Sequence, residues 1–315
     1  MARELFNSPE KKWVRENFWL PALLDFRKRF PADVRFNYLT FAGPEGRDIE
    51  FFTRENPVFS IANIRVWERS DRAASQLGQK FGPELQIKCG EAFTLSSAEK
   101  EAASFPFAVI NLDFTDGFFN LRTRKALPDK FEIIENIARH QQRHACGFLL
   151  LLAFNAAPDV DSEKGQPFVH RMALDIATRY GATKALFNLT RGAKNNYSDV
   201  LGDLVPAAIV RVGAEHAFDT ICSGKAIYRP YSRRKSTMLC FSFEFQYDDP
   251  PLSQSRFFVQ RRMEDLIEKR QQESLKVEAI HVNERRKPPG KAVSKRARAR
   301  YRKLFPGPTP PRDCY

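Results

Sequence analysis

The sequence predicts an α/β fold: a mostly parallel sheet with helices on both faces, ending in an antiparallel hairpin. Short β-rich apolar runs alternate with amphipathic stretches between residues 36 and 217, the order that builds strand–helix–strand crossovers. The run at 147–154, GFLLLLAF, is almost wholly apolar, as expected of a strand covered on both faces. Residues 237–247 instead alternate, with Leu239, Phe241, Phe243 and Phe245 set against Cys240, Ser242, Glu244 and Gln246. That period of two suits a hairpin strand.

Taken in order, residues 8–30 read as a helix with Ser8 as cap and Pro9 at its first position, divided near Pro21. Trp13, Phe18, Trp19, Leu23, Leu24 and Phe26 form its apolar set, so it should lie on the domain as a lid or cover. Residues 36–52 read as strand, glycine-bearing turn (Ala42-Gly43-Pro44-Glu45-Gly46) and helix. A second strand at 61–68 ends on Glu68, a helix follows at 71–81, and a third strand at 85–89 runs into Gly90-Glu91-Ala92-Phe93. The fourth, at 107–112, ends in Asp113. A helix at 129–145 precedes the 147–154 strand, with Phe131, Ile134, Ile137 and Ala138 on one side. Helical character returns at 166–180 and about 199–217, where Pro206 predicts a kink. Strands at 225–231 and 237–247 make the hairpin, giving seven in all, and a charged helix spans 256–276. The predicted organisation is an N-terminal helical cover (1–33), the α/β domain (34–248), the charged helix (249–283) and a basic tail (284–315).

The composition narrows the function classes. With 43% hydrophobic residues and 28 Phe in 315 residues, the chain has ample core material for one large domain with extensions, or for two small ones. It has no apolar run of about 18 residues, so no membrane span is expected. The charges at Arg3, Glu4, Glu10, Lys11 and Lys12 leave no apolar signal core. Five scattered cysteines without a CxxC pair suit reduced thiols in a cytoplasmic protein better than a disulfide or zinc framework. His140 and His144 have the i, i+4 spacing of two metal ligands, but no third ligand accompanies them and a solvated helix end is the plainer reading. No metal site is predicted.

The strand ends carry the residues a nucleoside cofactor needs. The glycines at 43 and 46 let backbone approach a ligand. Glu68, 22 residues beyond Gly46, can accept hydrogen bonds from both ribose hydroxyls; capping the next helix is its plainer role. Glu91 and Ala92 could meet an adenine ring. Asp113 could act as a general base, orient an amine, or simply cap a helix. Phe114 could stack on a base or belong to the core.

With these residues set out, the chain from about 34 to 247 resembles the class I S-adenosylmethionine-dependent methyltransferases. FAGPEG looks like the first motif of nucleic-acid methyltransferases, followed by the VWERS acid, the KCGEAF turn, the NLDF segment and the hairpin. The resemblance implies a Rossmann-like, mostly parallel seven-stranded sheet. It also implies S-adenosylmethionine bound at Ala42, Gly43, Gly46, Glu68 and Glu91, with Ala92 beside the ring. Thr40 stands where the family usually has an acid facing the methionine end, and Asp113-Phe114 lacks the two prolines usual in amino-methyltransferases. Two readings follow: a methyltransferase acting on nucleic acid through Asp113 and Phe114, or a non-catalytic member of that fold that binds nucleic acid or assembles a complex.

The net charge of +13 is concentrated in the tail, where residues 285–315 hold 11 Lys and Arg against Asp313 alone, leaving about +3 for the rest. Arg285, Arg286, Lys287, Lys295, Arg296, Arg298 and Arg300 form a cationic arm suited to phosphate backbones. Arg233, Arg234 and Lys235 in the hairpin turn could extend that surface. DNA or RNA is the expected partner, and no membrane.

Overall fold

The short aromatic and β-branched runs form one eight-stranded sheet in a computed structural model of the chain. The structure describes residues 8–31, 34–90, 104–117, 129–156, 174, 177–181, 197–229, 237–248 and 256–282. The strands are β1 (Tyr38–Thr40), β2 (Ile64–Glu68), β3 (Gln86–Cys89), β4 (Val109–Gly117), β5 (Phe148–Asn155), β6 (Phe218–Tyr228), β7 (Met238–Tyr247) and β8 (Ala279–Val282). They lie in the order β3-β2-β1-β4-β5-β7-β6-β8. Both pairings of β7 are antiparallel and all the others parallel, so β7 alone runs against the rest. The sheet is thus mostly parallel, as expected, with one strand more than the seven expected. That strand, β8, follows the charged helix and pairs with the outer side of β6.

Alternation along the strands sorts their side chains onto two faces. One face carries Leu39, Ile110, Leu112, Leu150, Leu152, Phe241, Phe243 and Phe245. It is covered by α5 (Asp129–Gln142), through Phe131, Ile134 and Ile137, and by α6 (Tyr197–Glu215), through Leu201, Leu204 and Ile209. The other face carries Tyr38, Val66, Val109, Leu149, Leu151, Ala153 and Cys240. The unbroken apolar run of β5 follows from this, because both of its faces are covered. α6 runs on through Pro206. Outside it lies α7 (Arg256–Leu275), with Met263 and Ile267 against Val210 and Ala214. Arg270 holds Asp219 of β6 at 2.5 Å.

The second face is covered largely by the chain's N-terminal segment. Ser8 caps α1 (Pro9–Val14) by accepting from the Lys11 N–H at 3.2 Å. A wider π turn at Arg15–Trp19 separates α1 from α2 (Leu20–Arg27). Trp19 and Leu20 keep helical dihedrals, so the chain runs on through Pro21, and the division expected near the proline falls at the π turn that ends two residues before it. Trp13, Phe18, Trp19, Leu23 and Phe26 are buried, while Leu24 is 37% exposed. Burial of each such side chain stabilises by roughly 1.5–3 kcal/mol, so this cover is an integral layer of the core. Gly224, beside a bulge in β6, makes room for it: a Cβ there would lie 2.6 Å from the Phe18 ring. The same layer contains α3 (Arg47–Glu50) and α4 (Asp71–Phe81), through Ile49 and Leu77.

Candidate functional site

β1 lies between β2 and β4, and from there the chain winds outward in opposite directions. Such a switch point opens a crevice beyond the carboxyl ends of the strands, where ligands of open α/β sheets bind. The glycine turn leaves β1 at this place. Gly43 and Gly46 have φ of 59° and 57°, the left-handed region that glycine tolerates. The Gly46 N–H donates to Gly43 O at 3.2 Å, closing the turn. Gly46 is also needed for packing, since a Cβ there would clash with the Phe81 ring and lie 2.7 Å from Leu77 of α4. Lys80 of α4 donates to Glu45 O at 2.8 Å and to Glu50 at 3.0 Å, so the turn is tied to the next crossover. Ala42 is buried in the same layer.

Glu68 ends β2, adjacent to β1. Its Oε1 accepts from the Ser70 N–H at 2.9 Å, and Ser70 caps α4 at the Ala73 N–H. The helix-entry role left open by the sequence is therefore filled. One accepted bond does not exhaust a carboxylate, which offers about four lone-pair sites. The ends of β2 and β3 are stitched together: Gly90 N–H donates to Glu68 O at 3.0 Å, and the Trp67 indole donates to Gly90 O at 3.1 Å. Glu91 and Ala92 lie outside the described residues, as do Arg233, Arg234, Lys235 and the tail cations Arg285, Arg286, Lys287, Lys295, Arg296, Arg298 and Arg300.

No family model and no curated protein matches this chain.

The fourth strand separates the two residues paired in the sequence reading. Asp113 faces the N-terminal cover, whereas Phe114 sits in the opposite core, edge-on to Phe41 at 5.6 Å with the Lys130 ammonium 5.4 Å above its ring. The structure does not bring Asp113 and Phe114 together on one side. β4 also runs on to Gly117, past the end expected at Asp113.

Asp113 belongs instead to a buried polar cluster that the sequence reading did not assemble. Its Oδ2 pairs with the Lys11 ammonium from α1, and Arg15, four residues on, pairs with Asp48 from the first turn of α3. The Asn111 amide donates to Asp48 at 3.2 Å and to the Tyr38 hydroxyl at 3.0 Å. Thr40 is fully buried on this same face. Asn111 Oδ1 and Asp113 Oδ1 are buried acceptors without a hydrogen-bond partner. Burial raises the Asp113 carboxyl above its usual range, with Lys11 opposing the shift. Burial also disfavours the Arg15 charge, but the neighbouring Asp48 carboxylate outweighs it and the guanidinium is held more firmly protonated than usual. Burial, reinforced by Asp48, pushes the Tyr38 phenol up. The available signal was a pair of cations, Lys11 and Arg15, set four apart among the aromatics of an otherwise core-facing helix.

Among the described residues no group of three or more His, Cys, Asp or Glu is placed to hold a metal, and no helix is long and apolar enough to cross a membrane. His140 is not at a solvated helix end. It is 2% exposed and stacks on Phe105 at 5.0 Å, while His144 is exposed.

Proposed function

We propose that this protein binds S-adenosylmethionine over the carboxyl ends of β1 and β2 and transfers its methyl group to a nucleic acid. The observation that carries the reading is the FAGPEG turn leaving β1 at the switch point, with Glu68 at the adjacent strand end. The mostly parallel sheet with β7 alone reversed supports the reading, although it has eight strands where the resemblance implies seven. The residues fit the nucleoside half of such a ligand: Gly43 and Gly46 give close backbone approach, and Glu68 retains acceptor capacity for ribose hydroxyls.

S-adenosylmethionine would supply a sulfonium-activated methyl group. This chain would supply alignment of nucleophile and methyl, which dominates such a transfer. Asp113 is held by Lys11 and can meet a ligand only once that bond is released. The basic arm would hold the phosphate backbone. Calorimetry of the full chain with S-adenosylmethionine and S-adenosylhomocysteine tests the cofactor site; no heat at millimolar ligand with folded protein would reject it.

The Lys11–Asp113 ion pair favours a second reading, a methyltransferase-like binding or assembly protein without catalysis. Cofactor binding without labelled-methyl incorporation into DNA, RNA or protein extracts would select it.

A further inference from the structure

Lys11 and Asp113 sit where two layers meet under the switch point. The acceptors there are Asp48, Asp113, Asn111 and the hydroxyl of Thr40, and Glu10 of α1 is buried within electrostatic reach of the neighbouring Tyr228. Asn111 Oδ1 and Asp113 Oδ1 remain unpartnered acceptors, and both residues are more than nine-tenths buried. Asn111 Oδ1 and Asp113 Oδ1 can therefore each accept from a further donor, as an ammonium or another organic cation would supply. Across β5, β7 and β6 the row level with Asp113 is made of small side chains, Ala153, Cys240 and Ala226, so the floor beside the carboxylate is low.

The two cations that reach this cluster come from the chain's N-terminal segment, Lys11 on α1 and Arg15 at the start of the π turn that separates α1 from α2. Most of the large aromatic anchors, Phe18, Trp19 and Phe26, lie in the π turn and α2; α1 itself contributes Trp13 and Val14. Withdrawing α1 about the π turn uncovers Asp113 while leaving the rest of the cover seated. Single-turn π segments within helices recur at functional sites, and withdrawal of α1 has to unseat two apolar anchors, Trp13 and Val14, rather than the whole aromatic layer.

We infer that Lys11 is a tethered stand-in for the cationic group of an external ligand on Asp113, and that α1 is the gate that admits it. The inference rests on the cofactor reading, in which the methionyl ammonium is the entering cation. Gate opening and ligand affinity are then coupled: a ligand that needs Asp113 binds the open state and shifts the population toward it.

Hydrogen exchange followed by mass spectrometry tests the gate in the wild-type chain, with S-adenosylhomocysteine as the probe. The amides of α1 should exchange at least about tenfold faster with the ligand than without it, while those of α2 do not change. Calorimetry with Lys11→Met should show about tenfold or greater tightening, because no tethered cation has to be displaced. If Lys11→Met fails to fold, Lys11→Gln serves, and the wild-type exchange experiment needs no variant. Equal affinity in wild type and variant, with α1 protection unchanged on binding, overturns the gate and leaves the cofactor reading intact. Exchange of α1 and α2 at one common rate under all conditions overturns it too. Absence of binding in both proteins rejects the cofactor reading and the stand-in with it.

Discussion

Replacing Glu244 by glutamine should remove a specific pH dependence from the stability of this protein. β7 places Glu244 on the face beneath the N-terminal cover, where it is 0% exposed and pairs with Arg29 at 2.7 Å. Burial pushes its carboxyl from the ordinary 4.5 up to about 7, against the pull of Arg29 and with a small contribution from Asp25. The folded state therefore holds this proton more tightly than the unfolded chain does. Its contribution to stability is complete below about pH 4.5 and is lost as the pH rises through about 7. At 1.36 kcal/mol for each tenfold change in proton affinity, the rise from 4.5 to about 7 amounts to about 3 kcal/mol in full. The amide introduced by Glu244→Gln cannot ionise, so urea unfolding between about pH 5 and pH 8 should show wild type losing about 2.5 kcal/mol relative to the variant. Parallel curves across that range would refute the claim that this carboxyl is buried against the sheet under the cover.

Other perturbations probe the remaining layers. Trp19, fully buried, should cost about 3–5 kcal/mol as Trp19→Ala in denaturant unfolding, and clearly less as Trp19→Phe, which keeps most of the apolar volume. Asp48→Ala removes the carboxylate paired with the buried Arg15 guanidinium and should cost about 3–5 kcal/mol by the same assay. Gly46→Ala places a side chain at φ 57° against Phe81 and Leu77; it should destabilise by more than about 1 kcal/mol, and Phe81→Ala in the same chain should recover part of the loss. Removing residues 285–315, with their 11 Lys and Arg, should weaken nucleic-acid binding and flatten its dependence on salt; unchanged affinity and slope would dismiss the arm as the binding element.

Much of the sheet was legible because its strands are strongly patterned. The apolar run of β5 and the alternation of β7 each specify how many faces are covered, and the order of glycine turn, β2 acid and β4 acid follows the chain. β8 was not legible: Ala279–Val282 is short and lies just beyond a charged helix, and its pairing with β6 depends on how α7 folds back on α6. β6 begins at Phe218, well ahead of the start at 225 expected from the sequence, because its bulge interrupts the period of two. Glu68 was readable as a strand-end acid, but its bond to Ser70 is a local geometric fact. Asp113 was picked out by its place in the chain. Its side of the sheet, opposite Phe114, follows from alternation once the strand is known to continue past it. The ion pairs with Lys11 and Arg15 join residues 102 and 33 positions apart, beyond the reach of any local pattern.

The central claim is that the β1 turn and Glu68 hold the nucleoside half of S-adenosylmethionine. Calorimetric titration of the full chain with S-adenosylhomocysteine, in wild type and in Glu68→Ala, tests it most directly. Saturable one-to-one binding is expected in wild type and at least about tenfold weaker binding in the variant, through loss of charge-assisted hydrogen bonds to ribose hydroxyls. Binding that is undetectable at millimolar ligand, or equally tight in both folded proteins, would contradict it.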